Sequence, residues 1–93
     1  MFLEIVTPEA ILFSSEVDAV YVPGMEGEFQ MLNHHASIVS VLKAGEIKIR
    51  VKNYNIKEKF QDKFVKTTDG KLSLTINSGT LELSDNKAII LAD

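Results

Sequence analysis

Glu46-Ile47-Lys48-Ile49-Arg50-Val51-Lys52 alternates charge and hydrocarbon without a break. Side chains on a strand point to opposite faces in turn, so this spelling makes one dry face and one wet face. A helix would scatter the same residues around its circumference. The stretch therefore predicts an antiparallel strand packed on a core from one side only. Lys71-Leu72-Ser73-Leu74-Thr75-Ile76 and Thr80-Leu81-Glu82-Leu83-Ser84 repeat the pattern downstream. Upstream, residues 2–7, 11–13 and 17–22 also read as strands. Residues 37–42 and 88–91 are nearly continuous apolar runs, which predicts strands buried on both faces.

Turn chemistry separates these runs at short intervals. Pro8 has no N–H to donate and closes the first ladder. Pro23-Gly24 and Gly27 bracket a loop, Gly45 precedes the alternating strand, and Asp69-Gly70 is a hairpin signal. Ser78-Gly79 and Asp85-Asn86 mark the last two turns. Many short strands at such spacing predict a small antiparallel β-sandwich of about eight to ten strands. One segment departs from the pattern. Asn55-Ile56-Lys57-Glu58 has the form of a capping box, and Ile56, Phe60 and Phe64 recur every four residues. This predicts a short helix over 56–65 with those three side chains on one face.

At 93 residues the chain holds one domain, 1–93, with one modest core. The composition, 45% hydrophobic and 25% charged, is that of a globular domain. No apolar run reaches the roughly 18 residues that a membrane-spanning helix needs. Met1-Phe2-Leu3-Glu4 lacks the basic start of a signal peptide. The absence of cysteine excludes disulfides and thiolate metal sites. Charge is distributed unevenly. Residues 1–42 carry six acids (Glu4, Glu9, Glu16, Asp18, Glu26, Glu28) and no Lys or Arg, whereas residues 43–71 hold nine of the ten basic residues. A net charge of −3 argues against nucleic acid, and an acidic and a basic region on one domain point to protein partners.

The chain carries no phosphate-binding glycine loop, no cysteine nucleophile and no Gly-x-Ser-x-Gly elbow. His34 and His35 are adjacent, and on a strand such neighbours face opposite ways and do not share a metal. Glu26 and Glu28 lie two apart in a glycine-flanked loop with no neighbour that would tune them for catalysis. The expectation is a non-enzyme with no catalytic residue, cofactor or metal. A distant alternative is a lipoyl or biotinyl carrier with Lys71 modified, but the context Asp69-Gly70-Lys71-Leu72 differs from the Asp-Lys-Ala or Met-Lys-Met typical of such domains.

Several pieces, taken in order, resemble the N-terminal domain of F-type ATP synthase ε subunits. Leu3-Glu4-Ile5-Val6-Thr7-Pro8 resembles the family's first strand and its corner, and Phe13-Ser14-Ser15-Glu16-Val17 its Phe/Tyr-Ser-Gly-x-Val region, with Ser15 where glycine is usual. Pro23-Gly24-Met25-Glu26-Gly27-Glu28-Phe29 is similar to the Gly-x-Glu-Gly-Glu-Phe loop, and His35-Ala36 to a His-Ala pair. Ala44-Gly45-Glu46-Ile47 and Ser78-Gly79-Thr80-Leu81-Glu82-Leu83 through Ile90-Leu91-Ala92-Asp93 complete the likeness. Gln30-Met31-Leu32-Asn33 departs from the family's Gly-Ile-Leu-Pro, and the stretch between Val51 and Lys71 is longer than its usual hairpin.

The resemblance implies a central-stalk rotor component, a monomer within its complex that joins the γ subunit to the c-ring and couples proton flow to ATP synthesis. It implies a c-ring contact at Glu26, Gly27, Glu28, Phe29 and Gln30, with Glu28 facing arginine on the ring. It implies a γ contact at Thr7, His35, Ala36 and Ser40. The implied location is peripheral, on the cytoplasmic face of a bacterial inner membrane. The chain ends where the family's two-helix C-terminal domain begins, so the expectation is coupling without the inhibitory helices.

Overall fold

A computed structural model describes residues 1–93. The chain folds into β1 (Phe2–Val6), β2 (Ile11–Glu16), β3 (Ala19–Gly24), β4 (Gly27–Leu32) and β5 (Ile38–Leu42). There follow β6 (Gly45–Arg50), a 3₁₀ helix (Glu58–Lys63), β7 (Phe64–Lys66), β8 (Leu72–Ile76), β9 (Gly79–Ser84) and β10 (Lys87–Ala92). The strands join in one curled sheet in the order β2-β1-β10-β9-β5-β3-β6-β8-β7, with β4 on the free edge of β3. Between β5 and β3 the ladder is reduced to a single pairing, Gly24 with Leu42. That thin joint lets the sheet fold over, so β2-β1-β10-β9-β5 faces β4-β3-β6-β8-β7 across one core.

Alternation builds that core. Ile47 and Ile49 of β6 are fully buried, while Glu46 and Arg50 face water. Leu3 and Ile5 of β1, Val20 and Val22 of β3, Leu81 and Leu83 of β9, and Ile90 of β10 meet them from both halves. Each such side chain contributes about 1.5–3 kcal/mol on burial. The two-residue β9–β10 turn needs positive φ at both positions, and Asp85 (51°) and Asn86 (60°) supply it with the residue types that tolerate it. All pairings are antiparallel except β1 with β10, which run parallel and bring the first and last strands side by side.

Three expectations are corrected here. Residues 37–42 and 88–91 are not buried on both faces: Val39 (78% exposed), Val41 and Leu91 stand in water beside buried Leu42 and Ile90. Their strands lie in a half whose outer face nothing in the chain covers. The capping box does not form, because Lys57 takes the cap position in extended geometry with no side-chain bond. Ile56 is buried in the segment before the helix, and Phe64 pairs with Leu74 as a strand, so tertiary contacts take both ends of the expected helix. The remaining six residues wind as 3₁₀, a form used in short pieces. Finally, His34 and His35 sit on a turn rather than a strand, His34 with φ of 63°.

The longer stretch after β6 has a structural task. β2 and β7 are the outermost strands of the path and would leave an open seam between the halves. Residues 51–64 cross that seam. Ser15 Oγ donates to the Asn53 carbonyl at 3.5 Å, Ile56, Phe60 and Phe64 pack on the core, and the Phe64 and Phe13 rings lie 6.0 Å apart. The segment is a plug, and its lysines point outward from it.

Candidate functional site

The β3–β4 hairpin forms a protruding tip. Met25 and Glu26 occupy the turn and are exposed, and Gly27 follows at φ 123°, which favours glycine. Gly24 is required for a different reason: a Cβ there would lie 2.8 Å from the Phe29 ring and 2.9 Å from the Gly27 carbonyl oxygen. Phe29 packs half-buried against the core and stiffens the hairpin from below. On its outer face Glu28 forms an ion pair with Lys48 at 3.5 Å, and Gln30 Nε2 donates to the Tyr21 hydroxyl at 2.8 Å. The five residues from Glu26 to Gln30 thus occupy the turn and the first part of β4, not a free loop.

The other four predicted residues do not form one cluster. Thr7 closes the turn after β1, its N–H donating to the Ala10 carbonyl at 2.8 Å. His35 and Ala36 are exposed at the opposite end of the same half, beside the β9–β10 turn, where the His34 N–H donates to Asn86 Oδ1 at 2.8 Å. His35 is thus an exposed residue between β4 and β5, not a strand residue. Ser40 lies on the inward-facing side of β5 and shares a shallow hollow of about 350 Å³ with residues 24–29 of the tip. The structure brings Ser40 to the tip set and separates it from Thr7 and His35.

What joins Thr7 to His35 is a surface the sequence reading missed. On the outer face of the first half, register places Ile11 beside Val6, Val6 beside Leu91, Leu91 beside Thr80, and Thr80 beside Val41. The next row runs Glu4, Ile89, Glu82, Val39. Exposed Ile11, Leu91, Val41 and Val39, with half-buried Val6 and Ile89, make an apolar band that Thr80 and Glu82 of β9 interrupt. Scattered exposed hydrophobics are ordinary, but apolar side chains on four of the five strands of one outer face make that face a candidate docking surface. The available signal was the surplus of hydrocarbon in 37–42 and 88–91 beyond what one buried face needs.

The outer face of the second half is polar and tightly tied. The Arg50 guanidinium beside the Tyr21 phenol holds that phenol below the ordinary tyrosine range, and nearby Lys71 adds to the effect. Lys71 Nζ sits 4.1 Å from the Tyr21 ring centre and 3.3 Å from Asp69 Oδ2, with its side chain only 14% exposed. A lysine held in that way is poorly placed to carry a swinging prosthetic group, and the carrier alternative is not favoured.

A close-packed β-body with an apolar band on one half and an exposed, glycine-turned hairpin tip on the other has the anatomy of a small protein-docking module. The chain belongs to the family of the ATP synthase, Delta/Epsilon chain, beta-sandwich domain, whose model matches residues 1–93. It is 42% identical over 93 residues to the ATP synthase epsilon chain of Campylobacter curvus, covering 100% of this chain and 60% of that one. It is 35% identical over 91 residues to the ATP synthase epsilon chain of Chlorobium limicola, covering 98% of this chain and 86% of that one. Among solved structures it is similar to a chain in the central stalk/c-ring of the Tetrahymena thermophila mitochondrial ATP synthase, with a TM-score of 0.72 at 18% identity. That likeness covers 99% of this chain and 62% of the other, and at such identity it speaks for the fold.

Proposed function

We propose that this chain acts as the sandwich of a central-stalk rotor subunit, gripping γ on one side and the c-ring on the other. The observation that carries the reading is family membership across all 93 residues. In this role it performs no covalent chemistry and couples ring rotation to ATP synthesis by transmitting torque. A close-packed core suits that task, because it cannot deform without losing contacts throughout. The tip, with Glu26, Gly27, Glu28, Phe29 and Gln30, meets the c-ring. The γ subunit covers the apolar band from Thr7 to His35 and Ala36, burying Val39, Val41 and Leu91. Ser40 braces the tip from behind. The assembly places the subunit peripherally on the cytoplasmic face of a bacterial inner membrane.

A tagged chain incubated with detergent-solubilised ATP synthase lacking its own ε should recover both γ and c subunits. Glu28→Lys should lose c at low ionic strength while keeping γ, because the variant places a cation where an acidic side chain faces the ring. Only about 1 kcal/mol is at stake per exposed pair, so the effect should fade with salt. Recovery of neither subunit by the wild-type chain would sink the proposal.

A further inference from the structure

Residues 51–63 of the seam plug lie between the outermost strands, β2 and β7, held there by little but hydrocarbon. Eleven backbone hydrogen bonds lie outside the strand ladders and the helix, and none of them ties this stretch to a strand. The one that touches it, from the Phe60 N–H to the Lys57 carbonyl at 2.8 Å, stays within it. None of the four ion pairs uses its charged side chains. Its polar link to the rest is the long bond from Ser15 Oγ to the Asn53 carbonyl, 3.5 Å, while Gln61 Nε2 donates to its own Ile56 carbonyl at 3.1 Å. The 3₁₀ helix has no buried residue and no side-chain cap. What remains is apolar: Ile56 is buried, and Val51, Tyr54 and Phe60 pack part-buried on the core. That packing is incomplete. A hollow of about 340 Å³ separates the stretch from the β7–β8 hairpin, lined by Tyr54, Ile56, Gln61, Phe64, Lys66 and Leu72.

We infer that residues 51–63 form a strap that opens and closes over the seam as one unit while the ten strands stay folded. Backbone ladders couple a segment to global unfolding, and a segment outside them, with few buried contacts, opens at a fraction of the global free energy. Ile56 is the pin. It is the one buried side chain of the strap, so no second anchor holds once it is withdrawn. A lifted 3₁₀ turn of six residues has no stability of its own, because short isolated helices do not persist in water. The turn therefore melts with the strap. The amides of Phe60 and Phe64, which donate to the Lys57 and Gln61 carbonyls, report that single event. Opening uncovers buried Leu72 and leaves β2 and β7 as unguarded sheet edges, so the closed strap also serves to guard them.

The test is native-state hydrogen exchange on the ¹⁵N-labelled full chain, comparing Phe60 and Phe64 with Leu83 and Ile90 of the strands. Phe60 and Phe64 should share one opening constant, about a hundredfold or more above that of Leu83 and Ile90. Leu81→Ala weakens the core but not the strap. It should speed Leu83 and Ile90 about tenfold or more and leave Phe60 and Phe64 unchanged. Sub-denaturing urea gives the same contrast without a substitution: the strand amides accelerate with it and the strap amides barely do, because opening the strap exposes little surface. Ile56→Ala should raise both strap amides together by about tenfold or more, and Ile56→Val, for use if the alanine variant does not fold, by about twofold to tenfold. Acceleration of Phe60 and Phe64 in step with Leu83, in urea or in Leu81→Ala, would tie the strap to the core and overturn the inference. Unequal opening constants that ignore the change at Ile56 would overturn it too, since they describe single bonds fraying rather than one moving unit.

Discussion

At Asp69 the Thr67 hydroxyl and then the Lys71 ammonium hold the carboxyl below its ordinary value of 3.8. A carboxyl depressed in the folded state contributes stability at every pH above the unfolded value. That contribution is lost as the pH falls through the lower folded value. Wild type should therefore exceed Asp69→Asn in urea midpoint near neutrality, and the gap should close as the pH drops below about 4. A gap that persists undiminished at the lowest pH would show that the ionised carboxylate is not its source. The side chain is 59% exposed, so the difference should be small. At this scale, legibility depended on local chemistry. Asp69-Gly70 was readable as a turn because glycine supplies the φ of 83° found there. Glu28 was readable as an outward charge on the tip, but its pairing with Lys48 was not, because strands β4 and β6 never touch in sequence. Ser40 was readable as a strand residue but not as an inward-facing one. Residues 38–42 read Ile-Val-Ser-Val-Leu, and with hydrocarbon at both parities the pattern does not say which face is buried.

Strand β5 takes its parity from β9, where Ser40 lies opposite buried Leu81 and Val41 opposite exposed Thr80. Val39 and Val41 consequently contribute little to the isolated fold and much to any partner on that face. Val39→Glu with Val41→Glu should leave the stability of the isolated chain within about 1 kcal/mol, each exposed change being worth no more than about half of that. The same variant should abolish recovery of γ in the pull-down while sparing that of c, since the tip is untouched. Retention of γ would remove the apolar band from the interface; loss of both stability and binding would show that the valines belong to the core. The seam plug shows the opposite limit of sequence reading. Its i, i+4 spacing of Ile56, Phe60 and Phe64 was real, and all three do pack on the core. What the spacing could not convey is that an extended chain and a 3₁₀ turn also deliver them there, once β7 claims Phe64 for the sheet. The alternating strands β6, β8 and β9 were legible at once, because a half-buried strand writes its burial pattern directly into its sequence.

Across the whole molecule, the two halves share one core, and no layer of either is complete alone. Leu81 and Leu83 from β9 belong to the same buried cluster as Ile47 and Ile49 from β6. The parallel closure of β1 on β10 ties the first strand to the last, so no terminal piece can leave without opening a ladder. A torque-bearing body should behave as one mechanical unit, and a single shared core predicts one cooperative transition. The molecule provides separate reporters for its halves. It has no tryptophan, and its two tyrosines, Tyr21 and Tyr54, lie in β3 and in the seam plug. Tyrosine fluorescence in a Tyr54→Phe background therefore follows Tyr21 and the second half, while the amide signals of Leu83 and Ile90 follow the first. Urea curves from the two probes should coincide. Leu81→Ala removes a fully buried side chain from the first half only, at a cost of about 2–5 kcal/mol. If the sandwich is one unit, that substitution moves the tyrosine curve as far as the amide curve. If the amide curve shifts while tyrosine fluorescence stays in place, the halves unfold separately, and the Gly24–Leu42 joint is a mechanical weak point rather than a fold line in a rigid body.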